Sequence, residues 1–196
     1  MKKIYTVFFC FFLLNCTLLA TQNPGFIITK DAKIITGQVA NIFYSSWKSE
    51  LVFINEMGRR YYFHPAVIHG FAIHKNGDML QFESKFYKGT WRFLEVMEKG
   101  ANLSLYRSPI IKTHESAQRY GEEKIVNRRV NEYWVEVGTA IPVRVYPLSY
   151  KRKLREFMSN QPQLVKKIGT TGYKFKNLQK IVEEYNELNA QNGKHI

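Results

Sequence analysis

Asn76-Gly77 is the feature that most narrows what this chain can fold into. A two-residue hairpin turn of the primed type holds both central residues at positive φ, a conformation that Asn and Gly tolerate better than other residues. The flanks agree with that turn. Phe71 and Ile73 fall on one face before it; Leu80 and Phe82 fall on one face after it, with Gln81, Glu83 and Lys85 on the other. Period-two alternation of this kind marks half-buried strands. Residues 51–55 and 59–63 form a similar pair just upstream, joined through Glu56-Met57-Gly58, whose glycine suits the left-handed position of a bulged turn. Pro65 ends the second of those strands, because it has no N–H for a ladder. Residues 67–70 read as a short turn. The stretch 51–85 thus predicts two β-hairpins in succession at the centre of the fold.

The flanking segments extend this plan in both directions. Residues 25–29 and 34–39 predict a first hairpin with its turn at 30–33, and 42–47 a strand end and loop. Residues 91–98 and 101–106 predict a hairpin about Lys99-Gly100, since Leu103 and Leu105 alternate with Ser104 and Tyr106. Residues 107–131, with Ser108-Pro109 and many charges, read as a long loop or an extended hairpin arm. Residues 132–137 resume a strand, and Pro142 assigns 141–145 to an edge. After Pro147 the periodicity becomes helical. Ser149 is placed to cap residues 150–158, and Pro162 and Gly169 bracket a short helix. Leu178, Ile181, Val182, Tyr185 and Leu188 form an apolar stripe over 177–189. A lone helix of that length is marginal in water, so its stripe must cover something, and the β part is the simplest choice. The fold class is α+β: a strongly bent antiparallel sheet or small open β-barrel over 21–147, followed by a two- to three-helix segment over 148–196 packed on it.

The N-terminus carries a different signal. Lys2 and Lys3 precede an apolar run over 4–14, and Leu18-Leu19-Ala20 ends in a small residue. Residues 1–20 are therefore expected to be a secretory signal peptide cleaved after Ala20, with a run too short to span a bilayer. Cys16 is a poor lipidation site, because Asn15 precedes it and 17–20 remain apolar. Both cysteines, Cys10 and Cys16, lie in this segment, so the 176 residues left (196 minus 20) have none. That excludes disulfides, thiol catalysis and thiolate metal sites from the mature chain. Losing Lys2 and Lys3 lowers the net charge from +13 to +11. In an exported chain in the periplasm or at the outer membrane, that charge suits an envelope protein, anionic lipid or acidic glycan rather than nucleic acid. A membrane surface is compatible with it, and no transmembrane segment is expected in the mature chain.

No constellation for catalysis stands out, and no cofactor is expected. His64, His69 and His74 recur every five residues, but a step of five reverses the face of a strand, and Pro65 and Gly70 interrupt the register. A metal site needs three or four converging ligands. Glu95 and Glu136 are the carboxylates best placed for glycoside hydrolysis, each beside apolar or aromatic strand neighbours, yet nothing in the sequence brings them together. There is no nucleophile elbow, no glycine-rich phosphate loop and no dinucleotide fingerprint. Two groups remain as candidate contacts for a partner or lipid. One is Arg59, Arg60, Tyr61 and Tyr62; the other is Lys151, Arg152 and Lys153 at the start of the helical segment. A pocket in the β part binding a small ligand or lipid is the alternative to surface binding.

The order of landmarks carries a resemblance. Gly25 to Thr29, Gly37, Trp47, Val52-Phe53, Tyr62, Pro65 and Ile68-His69-Gly70-Phe71 come first. Phe93-Leu94-Glu95-Val96, Gly100, Leu105-Tyr106, Ile181-Val182 and Tyr185-Asn186 follow. Together they resemble an uncharacterised family of exported envelope proteins of Gram-negative bacteria. The resemblance implies an envelope location and a β-rich domain with a helical end. It brings no activity, so no catalytic residue is carried over. Replacing Arg59 and Arg60 together by glutamate is expected to weaken binding to anionic liposomes while leaving the thermal midpoint unchanged; unaltered co-sedimentation would reject that contact.

Overall fold

The structure is a computed structural model that describes residues 23–45, 49–115 and 125–192, with the backbone alone at 109–115, 125–129 and 192. The expected signal peptide and Trp47 lie outside the described residues. The strands are β1 (Asn23–Thr29), β2 (Ile34–Tyr44), β3 (Ser49–Asn55), β4 (Arg60–Phe63), β5 (Ile68–Lys75), β6 (Asp78–Tyr87), β7 (Thr90–Glu98), β8 (Leu103–Glu115), β9 (Ile125–Val137) and β10 (Val143–Val145). They form one antiparallel sheet of ten strands in the order β10-β9-β8-β7-β6-β5-β1-β2-β3-β4. Helices α1 (Tyr150–Phe157), α2 (Pro162–Lys167) and α3 (Leu178–Asn192) follow.

Local turn chemistry works as the sequence predicts. Asn76 and Gly77 take φ of 55° and 89° between the paired residues Lys75 and Asp78. In the β3–β4 turn Gly58 has φ of 77°, and the Asn55 side chain accepts from the Met57 and Arg59 N–H groups at 3.1 and 2.9 Å. Two expectations are corrected. Residues 67–70 are not one turn: a 3-10 turn covers only Pro65–Val67, where His64 Nδ1 accepts from the Ala66 N–H at 3.2 Å, and β5 begins at Ile68. Ser149 makes no capping hydrogen bond; its backbone is helical rather than extended, and its Oγ is buried.

The two central hairpins both form, but they are not neighbours. The β1–β2 hairpin lies between them, with β1 pairing β5 and β2 pairing β3. This insertion curls the sheet. Four strands separate β3 from β7, yet the Phe93 N–H donates to Ser49 Oγ at 2.8 Å. The 3-10 turn touches β3, β5, β6 and β7 across the curl. The strands approach closely where it is sharpest. A Cβ on Gly25 would sit 2.2 Å from the Ala72 carbonyl oxygen, and one on its partner Gly37 2.3 Å from that of Ile54. The sheet remains open, since the β3–β7 contact is a side-chain hydrogen bond and not a ladder.

Two cores result. Inside the curl, Ile27, Val39, Leu51, Phe53, Ile68, Phe71, Ile73, Phe82 and Phe93 are buried, with Phe71 stacked on Phe82 at 4.5 Å. On the same sheet face farther along, Leu103, Leu105, Val135 and Val145 are covered by Leu154 and Met158 of the α1 region, Leu164 of α2 and Leu178, Ile181, Val182 and Tyr185 of α3. The stripe predicted for the last helix is thus its buried face. Residues 107–131 are less irregular than their composition suggests: β8 and β9 pair residue by residue out to Glu115 and Ile125, forming a two-stranded arm.

The helices dock at one close approach. Asn186 Nδ2 donates to the Leu103 carbonyl at 2.9 Å, and a Cβ on Gly100 would lie 2.2 to 2.4 Å from the Asn186 amide. Gly100→Ala is expected to destabilise the fold by about 1–3 kcal/mol through overpacking. In an Asn186→Ala background the same change should cost less, a coupling of about 0.5–3 kcal/mol in a urea double-mutant cycle. Additive effects would show that the two residues do not meet.

Candidate functional site

A sheet has two faces, and this one keeps its charged residues on both. On the inner face, Glu95 of β7 stands directly across from Arg107 of β8. Arg107 Nε donates to Glu95 Oε2 at 2.9 Å, and Nη2 donates to Oε1, giving a bidentate pair. The hydrogen bonds to Glu95 hold the guanidinium charged more firmly than usual, against the opposing effect of burial. The pair sits at the seam between the two cores, where the curl has ended and the helices have not yet begun.

Beside it is a cavity of about 360 Å³. Its apolar wall is Val39 and Ile42 of β2, Ile73 of β5, and Leu80 and Phe82 of β6. Its polar lining includes Asn23, Asn41, Lys75 and Asn131, together with Glu95 and Arg107. Register explains this arrangement. Phe82 pairs with Glu95 across β6–β7, and Ile73 pairs with Leu80 across β5–β6, so the apolar wall starts beside the ion pair and runs toward the Asn76-Gly77 turn. The wall and the charges therefore share one concave surface, as small-molecule sites do.

The outer face holds a second, closed network. Lys85 Nζ lies 2.8 and 2.7 Å from the two carboxylate oxygens of Glu136 and 2.9 Å from Glu83. The Tyr106 hydroxyl lies 2.5 Å from Glu136 and 2.9 Å from Glu83, and Lys99 reaches both Glu83 and Tyr106. Burial first, and the Glu136 hydrogen bond next, raise the Tyr106 phenol far above its ordinary value. Nearby, Arg144 pairs with the buried Glu132. These groups satisfy one another and leave little for a ligand.

The residues singled out from sequence are dispersed. Glu95 and Glu136 lie on opposite sheet faces, each held by its own cation, so they do not form a carboxylate pair for glycoside hydrolysis. His64 caps the 3-10 turn, while His69 and His74 are exposed on β5. Among the described residues no three His, Cys, Asp or Glu side chains gather as a metal would require. Arg59 precedes β4, and alternation splits the rest: Tyr61 stacks on Phe63 on the inner face, whereas Arg60 and Tyr62 point the other way. Arg60 and His74 share a wide, shallow outer groove over Gly25 and Gly37. Lys151 and Arg152 are exposed on α1, and Lys153 turns inward to donate to the Arg144 carbonyl at 2.7 Å. That helix follows β10, at the edge of the sheet opposite β4, so the two basic groups are not one surface. Arg107 and Asn131 escaped the sequence reading because they lie in the segment read as a long loop or an extended hairpin arm, of which the arm forms. The alternation of Leu103, Leu105 and Arg107 is the signal that places Arg107 inward.

The outer network predicts a pH dependence. Burial raises the Glu83 carboxyl, but hydrogen bonds from Lys99 and Lys85 outweigh it, leaving it below the ordinary 4.5. A carboxyl lowered on folding stabilises the native state above its unfolded value and loses that contribution as pH falls to its folded value. Urea midpoints should therefore fall as pH drops below about 4.5, and Glu83→Gln should flatten part of that fall; identical slopes would exclude Glu83 as a source. No family model, curated protein or solved structure matches this chain.

Proposed function

We propose that this is an exported, non-catalytic binding protein of the bacterial envelope, and that it holds its ligand in the inner-face cavity beside Glu95 and Arg107. The observation that carries the reading is a bidentate charge pair set into the apolar wall of a concave surface. A buried ion pair adds little to stability compared with apolar residues of the same volume. A charged pair kept at a cavity is the arrangement expected where a polar group of a ligand must be oriented. The leader-like segment 1–20 and the net charge of +13 support export and an envelope partner. The order of landmarks supports the same location. Catalysis is disfavoured because Glu95 and Glu136 face away from each other and both are committed to cations.

The exposed Lys151 and Arg152 favour a second, weaker contact with anionic lipid at the helical edge. The cavity reading is tested by filling it. Ile42→Trp puts a large ring into the cavity from a half-buried position. Protein purified without detergent and incubated with envelope extract is expected to carry a small-molecule adduct in native mass spectrometry. The Ile42→Trp protein should lose that adduct at an unchanged thermal midpoint. Equal adducts in both would move the site elsewhere, and recovery of the unprocessed protein in the cytosol would end the envelope assignment.

A further inference from the structure

We infer that the cavity takes an amphipathic molecule with a singly charged anionic head, and that Arg107 holds that head. The inference rests on the cavity being the binding site, and it adds the ligand's chemical class. Three charged side chains line the cavity, Arg107, Lys75 and Glu95, beside the neutral Tyr44, so its formal charge is one positive. The pair itself is asymmetric toward a ligand. Both Glu95 oxygens accept from Arg107, which leaves the carboxylate poorly placed to receive a cation. The guanidinium has five N–H donors, and the pair engages Nε and Nη2. Nη1 is not part of the pair, and a planar fork presents such an edge in the geometry a carboxylate or phosphate accepts.

Exposure agrees with that asymmetry. The Arg107 side chain is 31% exposed and that of Glu95 10%. The guanidinium, not the carboxylate, faces the opening. Glu95 fixes its plane beforehand, which lowers the ordering cost of binding. The apolar part of the ligand has a defined place. Phe82 lies across β6–β7 from Glu95, and Leu80 and Ile73 continue the wall by two residues, about 7 Å at strand rise. A head on Arg107 therefore sets a single chain along Phe82, Leu80 and Ile73.

The test compares heads on one tail. Decanoate, decyltrimethylammonium and the neutral glycerol monoester of decanoate are titrated into detergent-free protein by calorimetry, below their micellar concentrations. Decanoate is expected to bind at least about tenfold more tightly than the neutral ester, and the cation least. Decyl phosphate, nearly doubly charged at neutral pH, should bind more weakly than decanoate, and tighter binding overturns the single charge of the head. Because Arg107→Gln alone leaves Glu95 buried without its cation, the double variant Glu95→Gln with Arg107→Gln serves as the isosteric neutral pair. It should bind decanoate and the ester within about threefold of each other. Glu95→Gln alone should bind decanoate more tightly than the natural protein, since Arg107 no longer shares its charge; a purely structural role for the pair gives no such gain. Equal binding of decanoate and ester overturns the anionic head while leaving the cavity reading intact. A preference that survives in the double variant overturns the assignment to Arg107. No binding of any probe overturns the inference, and the extract experiment with Ile42→Trp then judges the cavity separately.

Discussion

The fold depends on how one apolar sheet face is removed from water. Alternation gives every strand from β1 to β10 an inner face, and in a ten-stranded sheet that face is long. No single device covers all of it. At one end the sheet covers itself: the curl brings Ser49 to the Phe93 backbone, and the Gly25–Gly37 crossing allows the tight approach that this needs. At the other end the helices do the covering, and Asn186 on the Leu103 carbonyl fixes where they sit. The two solutions meet between β7 and β8. At that seam β2 comes over from the curl without filling the space, and the cavity it leaves is lined by Glu95 and Arg107. The cavity is thus a consequence of joining a curl to a helical cap.

The outer face meets the opposite requirement. Among the described residues no second layer covers it, and Tyr106, Trp134, Glu132 and Glu136 are buried by their own neighbours. Lys85 reaches from β6 over β7 and β8 to Glu136 on β9, a contact that ties the register of β9 to that of β6. A one-residue slip of β9 would send Glu136 to the face packed by Leu154 and Ile181, where no cation waits. Trp134 meets Tyr87 edge-on at 4.6 Å on the same face and adds apolar cover. The network therefore rejects wrong pairings of β6 to β9 more than it strengthens the right one.

Much of this architecture was legible in the sequence, and the exceptions have physical causes. Turn positions needing positive φ announced themselves at Asn76-Gly77, Gly58 and Gly169, because few residues tolerate that conformation. The inward faces of 71–73 and 80–82 and the stripe of the last helix followed from periodicity alone. Strand order did not, because alternation states which face a residue takes and not which strand lies beside it. The cap expected from Ser149 failed because its backbone is already in the helical region (φ −107°, ψ −8°), whereas a capping residue is extended. Arg107 was hidden by composition: Ser108-Pro109 and the charges after it resemble loop, whereas ladder pairing with β9 overrides that preference. The bulge between Val96 and Glu98 also breaks the count between β7 and β8, so the facing of Glu95 and Arg107 is not readable by alternation from the hairpin turn.

The two charge networks invite the same explanation, yet their positions separate them. The outer network spans four strands and is closed on itself, so register is a sufficient reason for it. The Glu95–Arg107 pair joins only adjacent strands, whose register the Leu103–Leu105 packing and the bulge already specify. Sheltered ion pairs can often be replaced by apolar residues of the same volume with little loss of stability, although Arg107 is 31% exposed. Apolar residues would also extend the wall of Phe82 and Leu80 without interruption. Folding alone therefore gives little reason to keep a charge pair at the seam. What the pair adds is a guanidinium held in one plane beside a cavity with one apolar wall, and that is a property useful to a ligand and not to the fold.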